Sequence, residues 1–156
     1  VHLKRARAVN LFGIGASRLV AHDLAQKLMR VDKVYHLYDD WHDQLLCAKN
    51  MHEGDMAIAF SYSGLTREVL DCTVEAQRHN CPVVAVTKVD GSSKLATMAD
   101  AVLGVAASEP LVRSGAMASR MAQLMVVDAL YAAYVASDYE RAKHVIKQNY
   151  IEKQER

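Results

Sequence analysis

The chain has 156 residues, of which 51% are hydrophobic and 24% charged, and a formal net charge of +1. The length fits one domain, the composition excludes a disordered chain, and the near-neutral charge argues against a basic nucleic-acid groove within it. Because the sequence has neither a signal peptide nor an apolar run near the ~20 residues of a membrane-spanning helix, we expect no membrane association. Cys47, Cys72 and Cys81 are odd in number and form no CxxC pair. We therefore expect no disulfide, no metal site and a reducing, cytoplasmic compartment.

Short apolar runs alternate along the chain with longer amphipathic stretches. The apolar runs predict strands at 9–12, 33–37, 56–60, 83–87 and 101–106. Helical spacing predicts helices at 17–29, 41–50, 66–79, 116–135 and 138–150, with a short helical piece that ends near residue 100. This alternation predicts an α/β fold: one domain with a five-stranded parallel, doubly wound sheet and two C-terminal helices. Ligands of such sheets bind at the carboxyl ends of the strands, at the topological switch point.

The loop Gly13-Ile14-Gly15-Ala16-Ser17 follows the first predicted strand and opens a helix. Glycine lets the backbone approach a ligand, and a helix N-terminus attracts an anion. A dinucleotide site requires a third glycine where this chain has Arg18, and an acidic residue about 20 residues further on, which Asp39 or Asp40 supplies. A dinucleotide site and a tight packing turn are the alternatives to an anion site. We predict no cofactor.

The second loop, Ser61-Tyr62-Ser63-Gly64-Leu65-Thr66, follows the central predicted strand. Ser61, Ser63 and Thr66 place three hydroxyls around one glycine at the start of a helix. Hydroxyls and backbone N–H groups can surround a phosphate without a lysine or an arginine. The alternative is that Ser63 or Thr66 caps the helix, for which one hydroxyl suffices. Because the two loops follow neighbouring strands, together they predict a phosphate site more specifically than either loop alone.

Three segments resemble a known family: ARAVNLFGIGASRLVAHDLAQKL, FSYSGLTREVL and RSGAMASRMAQLMVVDAL. The loops GIGAS and SYSGLT look like those of the sugar isomerase (SIS) domain. More narrowly, the three segments resemble the effector domain of RpiR-type transcription regulators, from about residue 8 to residue 134. The resemblance implies a flavodoxin-like SIS fold over 9–150, a sugar phosphate ligand and a homodimer or tetramer. It also implies an N-terminal helix-turn-helix domain, absent from this chain, that binds DNA and connects through residues 1–8.

The resemblance also implies which residues bind the ligand. The hydroxyls of Ser17, Ser61, Ser63 and Thr66 would hold the phosphate, assisted by backbone amides at Gly15 and Gly64. Glu109, Arg113 and Ser114, which follow the fifth strand, are candidates for contacts with the sugar; a solvated loop charge and helix initiation are the alternatives. The sugar phosphates in range include amino-sugar phosphates, muramic acid 6-phosphate, pentose phosphates and glucose-derived phosphates.

An isomerase or a sensor would share this fold. An isomerase needs a base beside a carbonyl, and Glu109 and Glu68 are the candidates. Glu109 resembles the position of a glutamate in arabinose-phosphate isomerases, but the His-Pro-Gly-Gly segment of those enzymes has no counterpart at 136–141. We therefore predict a non-catalytic effector domain that senses a sugar phosphate and modulates DNA binding. A phosphosugar isomerase or lyase of the SIS family is the alternative.

Two further clusters have structural interpretations. Asp39, Asp40, His42 and Asp43 suggest a metal site, but an N-cap and a polar wall explain them better. His22 is interpreted as a helix residue rather than a catalyst. A stripe of methionines and leucine on the long C-terminal helix is interpreted as core or as a subunit interface; it comprises Met117, Met121, Leu124 and Met125.

Overall fold

The computed structural model describes residues 2–106 and 116–151. Within these ranges, five strands form one sheet in which every neighbouring pair is parallel, in the order β2-β1-β3-β4-β5. The strands are β1 (Val9–Gly13), β2 (Tyr35–Leu37), β3 (Met56–Phe60), β4 (Val83–Lys88) and β5 (Ala101–Val105). The predicted five-stranded parallel sheet is confirmed, and its order is that of flavodoxin-like folds. The order reverses between β1 and β3, which is where the two candidate loops begin.

Among the described residues, one helix precedes the sheet, four connect successive strands and two follow the last strand. They are α1 (His2–Arg5), α2 (Ala16–Arg30), α3 (Trp41–Lys49), α4 (Arg67–Arg78), α5 (Lys94–Met98), α6 (Met117–Ala136) and α7 (Tyr139–Gln148). Apart from α1, each lies within a few residues of its predicted position. None of the helices in the described part of the chain is both long and apolar enough to cross a bilayer.

The sheet is covered on both faces, as a doubly wound fold requires. On one face, Leu11 and Ile58 pack with Leu24 and Leu28 of α2 and with Val127 of α6. On the other face, a separate buried cluster joins the sheet to α3, α4 and α5; it includes Phe12, Ala59, Ala48, Val69 and Leu95. All five residues of β3 are buried, because this central strand has helices above and below it.

The start of the chain contacts the body of the domain. Residues expected to be only a connection include the short helix α1, whose Leu3 is buried against the core. Lys4 Nζ donates a hydrogen bond to the carbonyl oxygen of Ser137 (3.3 Å) and lies 3.4 Å from Asp138 Oδ2. Sequence reasoning missed this contact because one apolar residue in a basic stretch gives no periodic signal.

The methionine stripe on α6 divides into one residue that packs on the core and three that face solvent. Leu124 packs against the core, whereas Met117, Met121 and Met125 are 62%, 61% and 71% exposed. Interpreting the stripe as core is therefore wrong for the three methionines. Their spacing of four residues places them along one solvent-facing side of α6.

The cysteines provide a test of this packing. Burial raises the pKa of the Cys72 thiol to about 12 and that of Cys47 to about 11. Since the thiolate is the nucleophile, iodoacetamide at pH 7.5 should alkylate both at least about tenfold more slowly in the native protein than in urea. Peptide mass spectrometry over a time course measures the two rates. Rapid alkylation of Cys72 in the native protein would contradict the packing of α4 on the sheet.

Candidate functional site

The end of β1 is held by a side chain rather than by a neighbouring strand. Strand β2 pairs with β1 only as far as Leu11, so Gly13 has no strand partner on that side. Gln44 of α3, which is buried, replaces the strand: its Oε1 accepts from Gly13 N–H, and its Nε2 donates to the carbonyl oxygen of Gly13, both at 3.0 Å. The same Nε2 donates to the carbonyl oxygen of Tyr38 at 3.0 Å. The loop after β1 therefore starts from a fixed position.

The first loop leads directly into α2. Gly15 has a φ of 59° and occupies the N-cap position, and no side chain caps this helix. Arg18 N–H donates to the carbonyl oxygen of Gly15 at 3.1 Å, whereas the N–H groups of Ala16 and Ser17 receive no side-chain cap. These donors, and the partial positive charge of the helix N-terminus, are available to an anion at the end of β1.

Hydroxyl groups in the second loop bond to one another. The Ser61 hydroxyl is buried, accepts from Gly64 N–H at 3.1 Å and lies 2.9 Å from the hydroxyl of Thr66. Thr66 occupies the N-cap position of α4, but its side chain makes no capping bond. Ser63 Oγ accepts from Leu65 N–H at 3.3 Å and does not cap α4 either. The capping alternative is therefore wrong: α4 begins with no side-chain cap, as α2 does.

Gly64 is the point where this loop meets the next strand and helix. It has a φ of 67°, and a Cβ built on it would lie 1.8 Å from Ser93 Oγ and 2.9 Å from Ser93 Cα. The carbonyl oxygen of Gly64 accepts from Leu95 N–H at 3.0 Å, and Ser93 Oγ lies 2.9 Å from the hydroxyl of Thr87. The turn thus rests against the start of α5, and only glycine fits there.

Ser17 links the first loop to α6. Its hydroxyl donates to Gln123 Oε1 at 3.3 Å, and Gln123 Nε2 donates to the carbonyl oxygen of Ser119 at 3.3 Å. Both Gln123 and Ser119 are buried. Sequence reasoning missed Gln123 and Gln44; the available signal was a glutamine on the buried face of a helix.

Charged residues next to the first loop are paired with one another. Arg18 Nη1 donates to the carbonyl oxygen of Asp39 at 2.8 Å, and His22 Nε2 lies 2.8 Å from Asp39 Oδ1. The hydrogen bond with His22 lowers the pKa of the Asp39 carboxyl. Asp40 accepts from His42 N–H at 2.7 Å and caps α3, as one of the two sequence interpretations predicted. Over residues 2–106 and 116–151, no three histidine, cysteine or acidic side chains are grouped so as to hold a metal ion.

The structure brings together six of the predicted site residues. Gly15 and Ser17 follow β1, whereas Ser61, Ser63, Gly64 and Thr66 follow β3, and the two strands are adjacent with Gly13 paired to Phe60. Glu68 lies one residue into α4, in its first turn, where the helix dipole stabilises a carboxylate. Glu109, Arg113 and Ser114 lie outside the described residues.

A separate cleft of 510 Å³ lies beside β1, β2 and α3, and is lined by Asn10, His36 and Cys47, among others. The buried Asn10 side chain contacts two of the lining residues. Its Oδ1 lies 3.0 Å from His36 Nδ1 and accepts a hydrogen bond from Cys47 Sγ at 3.2 Å. Asp55, also in this cleft, is paired with Arg7 through two 3.0 Å hydrogen bonds. Asn10, His36 and Cys47 are thus engaged with one another, and Arg7 with Asp55.

Comparison with known families identifies the family of this chain. The SIS domain family model matches residues 2–133. The chain belongs to the SIS domain family. Over 137 residues it is 38% identical to an HTH-type transcriptional regulator of Caldanaerobacter subterraneus, a match that covers 88% of this SIS domain and 48% of the regulator. It is also 34% identical to the HTH-type transcriptional regulator YbbH of Bacillus subtilis, over 88% of this chain and 49% of that protein. The chain spans about half the length of these relatives.

Three solved structures resemble this chain in fold. The NanR protein of Vibrio vulnificus, solved in complex with ManNAc-6P, matches 94% of this SIS domain and 55% of its own chain, with a TM-score of 0.87 and 30% identity. The sugar isomerase domain of an RpiR transcription factor from Sphaerobacter thermophilus matches 94% of this chain and 80% of its own, with a TM-score of 0.82 and 26% identity. Phosphoheptose isomerase GmhA of Neisseria gonorrhoeae covers 86% of this chain and 79% of its own, with a TM-score of 0.68 and 19% identity, and shares the fold.

The contact between Gly64 and Ser93 predicts the effect of a single methyl group. Gly64→Ala should lower the free energy of unfolding by at least about 2 kcal/mol, because the positive φ and the overlap with Ser93 both penalise a Cβ. Urea denaturation followed by circular dichroism measures the change. Gly91→Ala is the matched control: Gly91 also has a positive φ, of 80°, but a Cβ there meets nothing within 4 Å. Equal losses in the two variants would show that the close approach to Ser93 has no energetic effect.

Proposed function

We propose that this SIS domain binds a sugar phosphate and acts as the effector domain of an RpiR-type transcription regulator. In the whole protein, a helix-turn-helix domain would bind DNA, and the ligand would modulate that binding in the cytoplasm. The observation that carries the proposal is the pairing of two loops at the switch point. Each loop ends at a helix whose first turn has no side-chain cap, and each provides Ser or Thr hydroxyls.

The donors of the two loops match the chemistry of a phosphate group. At neutral pH a phosphate monoester is an acceptor of hydrogen bonds, and the loops offer hydroxyl and backbone N–H donors. Hydrogen bonds to a charged group are worth about 1.5–3 kcal/mol each. Three or four of them, less the entropic cost of association, reach about −8 kcal/mol, which corresponds to a micromolar dissociation constant. Such an affinity suits the detection of a metabolite.

We assign the candidate residues to different parts of the ligand. Ser63, which is only partly buried, and Thr66 are assigned direct contacts with phosphate oxygens, together with Ser17. Ser61 is assigned to the same group; in the free protein its buried hydroxyl lies 2.9 Å from that of Thr66, and this bond ends when both hydroxyls donate to phosphate. Gly15 and Gly64 permit the approach of the backbone. Glu109, Arg113 and Ser114 are assigned to the sugar.

The sugar is proposed to be an amino sugar. NanR of Vibrio vulnificus, 30% identical to this domain, was solved with ManNAc-6P, which supports a hexosamine 6-phosphate here. Muramic acid 6-phosphate belongs to the same chemical class. We propose that the domain does not turn its ligand over, because the relatives at 34% and 38% identity are regulators.

A sensor also needs a second state to which the ligand binds differently. We propose that the domain forms a homodimer or tetramer and that the exposed methionines of α6 lie in its interface. Met117, Met121 and Met125 form an apolar, adaptable surface of the kind that interfaces use. Sedimentation of a monomer at all concentrations would contradict this assignment.

The first test compares hydroxyl deletions. Ser63→Ala and Thr66→Ala should each weaken the binding of a hexosamine 6-phosphate by at least about 1 kcal/mol, or about fivefold, without loss of folding. Isothermal titration calorimetry with ManNAc-6P, glucosamine 6-phosphate and N-acetylmuramic acid 6-phosphate measures the change. Ser137→Ala is the matched control, since its hydroxyl lies at the α6–α7 junction and donates to the carbonyl oxygen of Tyr134. Unchanged affinity in both loop variants would remove these hydroxyls from the phosphate site.

A second test separates binding from catalysis. The phosphorylated sugar should bind, its unphosphorylated parent should not, and the NMR spectrum of the bound sugar should stay unchanged over hours. Conversion of the sugar to a new species would instead identify an isomerase or lyase, with Glu68 and Glu109 as the first residues to replace.

A further inference from the structure

We propose that Gln123 is a positioning residue that holds the Ser17 hydroxyl in the free protein, releases it when phosphate binds, and thereby transmits occupancy of the site to α6. The inference rests on the proposed function, because it requires Ser17 to donate to a phosphate. It adds the element that receives the signal and the atom through which the signal passes.

The bond between Ser17 and Gln123 joins the ligand loop to a helix that is distant in sequence. The Ser17 hydroxyl donates to Gln123 Oε1 at 3.3 Å, across 106 positions of sequence. Gln123 is 1% exposed, and its Nε2 is already engaged with the carbonyl oxygen of Ser119. Ser17 is thus the donor that satisfies the Gln123 carbonyl, at a place where water has little access.

A count of protons makes the two uses of Ser17 exclusive. A serine hydroxyl carries one hydrogen and donates one hydrogen bond. In the free protein that hydrogen points to Gln123 Oε1. Phosphate oxygens at neutral pH accept hydrogen bonds, so the hydroxyl must turn its hydrogen to the ligand. Binding would therefore leave a buried carbonyl oxygen without a donor, which folded proteins avoid.

Rotation of the Gln123 amide resolves this conflict. After a half-turn about its last side-chain bond, Nε2 faces Ser17 Oγ and donates to a lone pair that the phosphate does not use. Oε1 then faces the carbonyl oxygen of Ser119, and two acceptors replace the 3.3 Å hydrogen bond between these residues. The side-chain bond from Gln123 to Ser119, four residues earlier in the same helix, is lost, and the two oxygens repel each other.

The affected turns carry the exposed methionines. Ser119 lies between Met117 and Met121, and both are more than half exposed. A change in the first turns of α6 therefore reaches the surface assigned to the subunit interface. This role explains the placement of a polar amide between Ser119 and Val127 on the buried face of α6.

Two substitutions separate competition for Ser17 from simple support of the fold. Gln123→Met keeps an unbranched side chain of similar length but removes both the acceptor and the donor. Because Ser17 then gives up no bond to bind phosphate, the affinity of Gln123→Met for ManNAc-6P and for inorganic phosphate should rise about threefold. In a Ser17→Ala background, the same Gln123→Met change should leave the affinity unchanged. Gln123→Leu is the second variant if Gln123→Met does not fold.

NMR of labelled methionine methyl groups tests transmission to α6. In the wild-type chain, inorganic phosphate, which lacks the sugar, should shift the methyl signals of Met117 and Met121. In Gln123→Met, binding should persist while these signals stay at their free positions. Gln77→Met is the matched control, because Gln77 donates to the carbonyl oxygen of Met98 on the opposite side of the sheet. Its affinity and its methyl shifts should equal those of the wild type.

The outcomes separate the role of Gln123 from the proposed binding of a sugar phosphate. Equal weakening by Gln123→Met in the Ser17 and Ser17→Ala backgrounds, or methyl shifts that survive Gln123→Met, would overturn the role of Gln123 alone. Failure of the wild type to bind either probe would overturn the phosphate site and this inference together. A rise in affinity that requires Ser17, together with loss of the methyl shifts, supports both.

Discussion

The structure depends on the side-by-side pairing of β1 and β3, which brings Gly13 next to Phe60 at the carboxyl edge of the sheet. Two loops leave the sheet from this pair and enter α2 and α4 at helix N-termini without side-chain caps. The chain connections diverge at this point, because β2 lies on one side of the pair and β4 on the other. A space with converging backbone donors follows from this topology alone.

Buried hydrogen bonds keep the site in one shape before any ligand arrives. Gln44 replaces the missing part of β2 at Gly13, and the Ser61 hydroxyl fixes both Gly64 and Thr66. The turn at Gly64 in turn rests on Ser93 at the start of α5. A site held by satisfied buried groups loses little entropy on binding, which raises affinity for a small ligand. In the account proposed here, the bond of Ser17 with Gln123 is one that a phosphate must break.

The fold was predictable from the sequence because its signals are local. The central strand 56–60 is apolar throughout and is bounded by turn residues, and the prediction agrees with β3 at both ends. The position of the second loop was predictable for the same reason, since Gly64 and the hydroxyls around it lie within six consecutive positions directly after that strand. The SIS assignment, which rested on these motifs, is confirmed by the match over residues 2–133.

The partners of these residues were not predictable, because they come from distant parts of the chain. Gln44 and Gly13 are 31 positions apart, and Ser17 and Gln123 are 106 apart. Only packing decides that Thr66 turns its hydroxyl to Ser61 instead of capping α4, a choice that propensity rules do not contain. The exposed side of the methionine stripe follows likewise from how α6 lies on α2 and the sheet.

The most direct test of the account is a two-dimensional ¹H–¹⁵N NMR titration of this chain with ManNAc-6P, with ManNAc as the unphosphorylated control. The account predicts that the phosphorylated sugar shifts the backbone amides of Gly15, Ser17, Ser63 and Gly64, whereas ManNAc leaves them unchanged. Shifts confined to the cleft lined by Asn10, His36 and Cys47, or equal shifts with both sugars, would contradict a phosphate site at the switch point.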